Sequence, residues 1–190
     1  MGFNSRKNLV GILIAIAIIC LVYGTSDVQA QDVASGQISA TVVAALTVTA
    51  SSPLAFGTVY QGVPKSISKN VADAAVFDIS GQANADLLIY ASLPEFVATS
   101  TGDDRMTVRF SATDADIDTA IVGAGAPATF VGGWQGEDPH NLMGVAGADP
   151  CLGDAGLCAI FIGGKVIPTL DQTAGAYTGD IILTVAYQGT

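Results

Sequence analysis

The stretch Ala176–Tyr187 reads A-Y-T-G-D-I-I-L-T-V-A-Y and leaves little choice of local structure. Tyr177, Gly179, Ile181, Leu183, Val185 and Tyr187 stand two apart, with Thr178, Asp180, Thr184 and Ala186 between them. A period of two sends alternate side chains to opposite faces of an extended chain, so the stretch predicts a β-strand with those six residues on its inner face. Ile182 is the one apolar residue out of phase. A second alternating segment, Ala34–Val48, lies early in the sequence.

What precedes that early segment reads as an export signal. Arg6 and Lys7 are followed by the uncharged apolar run Leu9–Tyr23 and by Val28-Gln29-Ala30, a small-x-small cleavage pattern. The run is shorter than the roughly twenty residues that span a bilayer. Cys20 follows Ile19, where a lipid-attachment signal calls for a small residue. The expectation is a signal peptide over residues 1–30, a secreted or cell-surface product and no stable membrane insertion after cleavage. Residues 31–190 carry five basic and sixteen acidic side chains, a formal net charge of −11. Such a surface repels phosphate backbones and anionic lipid, which argues against nucleic-acid binding.

No part of residues 31–190 carries a helical period. Short runs of Val, Ile, Thr, Phe and Ala alternate with Gly, Pro, Asp and Ser, the pattern of an all-β domain. Strands are predicted over Ile38–Thr49, Leu54–Tyr60, Val76–Ser80, Leu87–Leu93, Thr107–Ala112, Ala128–Val131, Cys158–Ile167 and Tyr177–Tyr187, a spacing that suits a sandwich. Gly163-Gly164 predicts a bulge inside the seventh of these. Residues 31–48 form an extension and first strand, residues 49–190 the sandwich, and residues 102–150 an irregular insertion.

Few residues suggest chemistry. Cys151 and Cys158 are the only cysteines after residue 30, and an even pair in an exported chain reads as a disulfide. For so short a loop, chain-entropy reasoning gives roughly 2.5 kcal/mol. A redox or metal pair is the competing reading. The gap is too wide for C-x-x-C, however, and the single histidine, His140, cannot complete a four-ligand zinc site. Asp114, Asp116 and Asp118 resemble the opening of a calcium loop. Thr119 and Gly125 stand where an EF-hand wants Gly and Glu, so a solvated acidic turn is expected, with a looser calcium site as the alternative. Trp134, with Phe130 and Tyr90, reads either as a sugar-stacking platform or as cover for the core or an interface. His140 lacks a nucleophile partner, and Glu95 and Glu137 sit in no motif, so no enzyme and no cofactor are expected.

Several pieces in order resemble a bacterial family of exported fimbrial-type domains, the spore-coat-U and chaperone–usher pilin-like proteins. They are Leu54-Ala55-Phe56-Gly57, Phe77-Asp78-Ile79-Ser80-Gly81, Ile162-Gly163-Gly164 before Val166-Ile167-Pro168, and Gly175-Ala176-Tyr177-Thr178-Gly179 leading to Val185-Ala186-Tyr187. Both cysteines are late here, whereas chaperone–usher pilins often place one near the first strand. The resemblance implies an immunoglobulin-like, pilin-type β-sandwich that lacks one strand and is completed by a donor strand from a neighbouring copy. It also implies a periplasmic chaperone and an outer-membrane usher as partners. The donor residues are then Ala34, Gly36, Ile38, Ala40 and Val42, which share the apolar face of the early segment; the alternative is that this strand pairs within its own domain. The expected function is a homopolymeric filament or surface coat; the alternative is a monomeric secreted adhesin or carbohydrate-binding module.

Overall fold

The computed structural model describes residues 37, 39–119, 133–142 and 152–188. The export segment 1–30, Ala34, Gly36, Ile38, Cys151 and the predicted strand Ala128–Val131 lie outside the described residues. The chain divides into two units, Met1–Thr41 and Val42–Thr190. The fold below is that of the second.

Among the described residues there is no helix, and eleven strands form three antiparallel sheets, consistent with a β-sandwich. The strands are β1 (Thr47–Ser52), β2 (Lys65–Ile67), β3 (Ala75–Ser80), β4 (Leu87–Ser92), β5 (Phe96–Ala98), β6 (Arg105–Arg109), β7 (Ala115–Asp118), β8 (Trp134–Glu137), β9 (Leu157–Ile162), β10 (Gly164–Ile167) and β11 (Ile182–Tyr187). One sheet has the order β1-β3-β9-β7-β8, a second β2-β10-β6-β5, and β11 pairs with β4 alone.

Alternation sets the inner faces. In β4, Leu87, Ile89 and Ala91 are buried while Leu88, Tyr90 and Ser92 are exposed. In β11, Leu183, Val185 and Tyr187 turn inward and are half-buried against the main core of Phe77, Ile79, Leu87, Ile117 and Ile160. β9 is flanked by β3 and β7 and buries both faces, so it reads as a continuous apolar run. Cys158, Ile160 and Ile162 face the main core, whereas Ala159 and Phe161 pack with Val76 on the other side. A smaller core of Met106, Val108 and Val166 lies on the second sheet, and Phe110 touches both.

Four expectations need correction. The predicted strand Cys158–Ile167 is two strands in different sheets, because the chain crosses over at Gly163 rather than bulging. Gly163 donates its N–H to the Asp114 carbonyl at 2.8 Å. A Cβ there would lie 2.5 Å from the Ile67 carbonyl oxygen and 2.7 Å from the Lys69 nitrogen, so the crossing needs a residue without a side chain. Secondly, Leu54–Tyr60 is not a strand. Gly57 has φ +58°, and the run pairs with no strand among the described residues. Thirdly, residues 102–150 are not merely an insertion, since β6, β7 and β8 belong to the sheets. Fourthly, the two terminal strands are shorter than predicted. β1 starts at Thr47 instead of Ile38, and β11 starts at Ile182, leaving Tyr177, Gly179 and Ile181 ahead of it.

Candidate functional site

The segment mistaken for a strand forms one wall of an open apolar groove of about 950 Å³. Its floor is Met106 and Val108 of β6 with Val166 of β10, and Phe56 and Val59 pack onto them from the 53–61 wall. The opposite wall is Val97 of β5 with the run 172–179, where Tyr177 packs on the same small core. Ala55 donates its N–H to the Asp73 carbonyl and Gly62 to that of Thr169. Between them, the amides of residues 56–61 meet no main-chain acceptor among the described residues. Of the carbonyls along that wall, Thr58 accepts from Lys65 Nζ at 3.2 Å and Tyr60 from the Val63 N–H at 3.0 Å.

A polar network holds the far wall. The Asp104 carboxylate accepts the Thr173 N–H at 2.8 Å, the Gln172 Nε2–H at 2.9 Å and the Tyr177 hydroxyl at 2.7 Å. The single Tyr177 proton also faces the Thr173 carbonyl, and the charged acceptor makes the stronger bond. Gln61 Nε2 donates to the Gln172 carbonyl at 2.6 Å, joining the two walls. Hydrogen bonds from Tyr177 first, then from Thr173, hold the Asp104 carboxyl far below the usual carboxylate range. Burial, followed by the Asp104 bond, pushes the Tyr177 phenol up.

The sign of the pH effect follows. A carboxyl with a depressed folded pKa stabilises the fold above its unfolded pKa of about 3.9 and loses that contribution as pH falls further. Stability is therefore expected to decline below about pH 4. Asp104→Asn should start from a lower stability at neutral pH and show a shallower acid decline. Urea midpoints across pH 2–7 test this, and equal slopes in both proteins would mean that Asp104 is not so bonded.

Of the candidate donor residues, Val42 opens the second unit and is 94% exposed. Shortly after it, the Ala44 carbonyl accepts the Tyr187 hydroxyl at 2.8 Å, and Leu46 packs on the main core. The Gln82 N–H donates to the same hydroxyl at 2.7 Å, so Tyr187 ties the last strand to the lead-in of β1.

The acidic run is the largest departure from expectation. Asp116 and Asp118 are not solvated but fully buried in β7, an inner strand. Ala115 and Ile117 turn into the main core, and the alternation sends the two aspartates to the opposite face beside Phe161 and Ala159. Lys69 reaches Asp116 with Nζ–Oδ1 at 2.9 Å and donates to the carbonyls of Thr113 at 2.6 Å and Ala115 at 3.3 Å. The Gly136 N–H donates to the same Oδ1 at 2.5 Å. Glu137, next in β8, is 5% exposed, and its Oε1 has no hydrogen-bond partner among the described residues. Burial first, and the Asp116 charge second, push its carboxyl above the usual range, with Lys69 opposing. Among the described residues no cluster of three or more His, Cys, Asp or Glu is arranged to hold a metal ion.

The remaining candidates do not converge. Cys158 is fully buried in β9. Trp134 in β8 is half-buried against the main core, and Tyr90 is exposed on β4. Phe130 lies outside the described residues. His140 is exposed, with Nδ1 2.9 Å from Asp138 Oδ1 and its ring edge-on to Phe110. The hydrogen bonds from His140 hold the Asp138 carboxyl down. Glu95 is exposed.

Sequence reasoning passed over Lys69, Asp104 and Gln172. For Lys69 a signal existed, since it is one of few cations in a chain rich in carboxylates. Comparison with protein-family models, with curated proteins and with solved structures gives no match for this chain.

Proposed function

We propose that the chain is a structural subunit that polymerises on the cell surface, each copy laying its early apolar segment into the groove of the next. The groove carries this reading. It offers an apolar floor and a wall of unpaired amides, the two things a donated strand requires. The donor is this chain's own segment Ala34–Val42. It alternates at the right period, and Val42 at its end is left exposed by the unit it opens. At about 3.3 Å per residue the segment spans roughly 30 Å. Ile38 and Val42 fill the deeper positions, each contributing roughly 1.5–3 kcal/mol on burial, and Gly36 fits a shallow one.

On this reading the sandwich is of the pilin type, incomplete by one strand. A chaperone covers the groove during export, and an usher or direct contact exchanges it for the next subunit. Ile38→Asp is expected to leave export and folding intact while abolishing polymers. Size-exclusion chromatography and electron microscopy of shed material check this. Wild-type filaments from Ile38→Asp would sink the donor-strand reading, and a wild-type protein that stays monomeric and retains a glycan would favour an adhesin.

Phe56 supplies a milder test of the groove wall. It is half-buried, not enclosed, so Phe56→Ala should cost less than the roughly 3–5 kcal/mol of a buried ring. The expected loss is about 1–2 kcal/mol by urea unfolding, with a larger effect on assembly than on folding.

A further inference from the structure

We propose that Lys69 and Asp116 become joined by an amide bond between Nζ and Cγ, formed inside the folded domain with loss of one water. The two groups are already in contact at 2.9 Å, and Asp116 is 1% exposed. Both are immobilised. The Thr113 and Ala115 carbonyls hold the ammonium from one side, and the Gly163 crossing presses the Lys69 backbone against the corner between the sheets. Fixing nucleophile and electrophile in this way removes much of the entropic barrier to their reaction.

The surroundings supply what the step requires. The Gly136 N–H on Oδ1 polarises the carboxyl and stabilises negative charge that develops on that oxygen. Glu137, adjacent to Gly136 in β8, is buried and has an oxygen without a partner among the described residues. Burial favours its neutral form, which lets it donate a proton as well as receive one. It is the proton relay of the site.

The atoms balance without any co-reactant. The ammonium of Lys69 carries three protons and the carboxylate of Asp116 none. Glu137 gives its proton to Asp116 Oδ2 and takes one from Nζ, freeing the nitrogen lone pair to attack Cγ. A second transfer by the same route completes the departure of Oδ2 as water. Oδ1 remains as the amide carbonyl, Nζ keeps one proton, and Glu137 returns to its starting state. A buried ion pair is a weak stabiliser because its desolvation offsets its attraction. The neutral amide removes both charges from the interior. The link would run from the end of the β2 segment in one sheet to β7 in the other.

Mass spectrometry of the full-length protein, folded, purified and then reduced, tests the proposal. The expected mass is lower by one water than the sequence requires. Trypsin should fail to cleave after Lys69, giving one branched species of residues 66–105 joined to residues 110–165. Lys69→Arg keeps the charge and should show the full mass. Glu137→Gln should fold, as judged by circular dichroism, yet leave the two peptides separate. Wild-type protein with full mass and normal cleavage after Lys69 overturns the bond, as does a water loss that leaves that cleavage intact. A linked product from Glu137→Gln overturns the relay.

Discussion

Phe161→Ala is expected to lower the stability of the domain by about 3–5 kcal/mol. Phe161 is the largest fully buried side chain in β9 and packs with Val76 and Ala159 on the face opposite the main core. Removing the ring deletes its transfer free energy and leaves a cavity that the flanking strands β3 and β7 cannot collapse into, because each is fixed by its own hydrogen-bond ladder. Against a typical domain stability of about 5–15 kcal/mol, such a loss should cut the yield of folded protein sharply. Tyr90→Ala, on the exposed side of β4, is the control and should stay within about 0.5 kcal/mol. Urea unfolding of both variants settles the comparison. A Phe161 effect no larger than the Tyr90 effect would mean that this face of the sheet is not closed.

Gly163→Val is expected to be comparably damaging for a different reason. The added Cβ meets backbone atoms of Ile67 and Lys69 rather than flexible side-chain ends, so the corner itself must open. Overpacking of this kind typically costs about 1–3 kcal/mol, and valine adds two further methyl groups. Gly163→Ala should fall at the lower end of that range and Gly163→Val above it. Loss of folded protein in Gly163→Val, with a measurable decrease in urea midpoint for Gly163→Ala, is the expected pair of results. Two neutral variants would place the strand crossing elsewhere.

The sequence displays β4 and the inward face of β11 openly, because both strands alternate and have one face packed against a core. Leu87, Ile89 and Ala91 set against Leu88, Tyr90 and Ser92 are the plainest case. It misleads at Leu54–Tyr60, where apolar spacing suits a strand but no partner strand among the described residues pairs with the segment; spacing reports a buried face, and pairing requires a neighbour. It conceals β7, because alternating aspartates ordinarily mark a solvated face, and here that face is buried and one of them meets Lys69. Ala115 and Ile117 flanking Asp116 carried the correct period, and their charged neighbours outweighed it. The groove and the Lys69–Asp116–Glu137 cluster were not legible, since each joins residues far apart along the chain. Only the order of strands within the sheets brings them together.

The crossing at Gly163 also bears on how the domain yields under load. β9 is an inner strand of the five-stranded sheet, β10 an inner strand of the four-stranded one, and a single residue separates them. One sheet therefore cannot slide over the other by stretching a slack connector, since the whole displacement would fall on the backbone torsions of one glycine. Tension carried by either layer passes at once to the other, and the two should rupture together in one step when a single molecule is pulled.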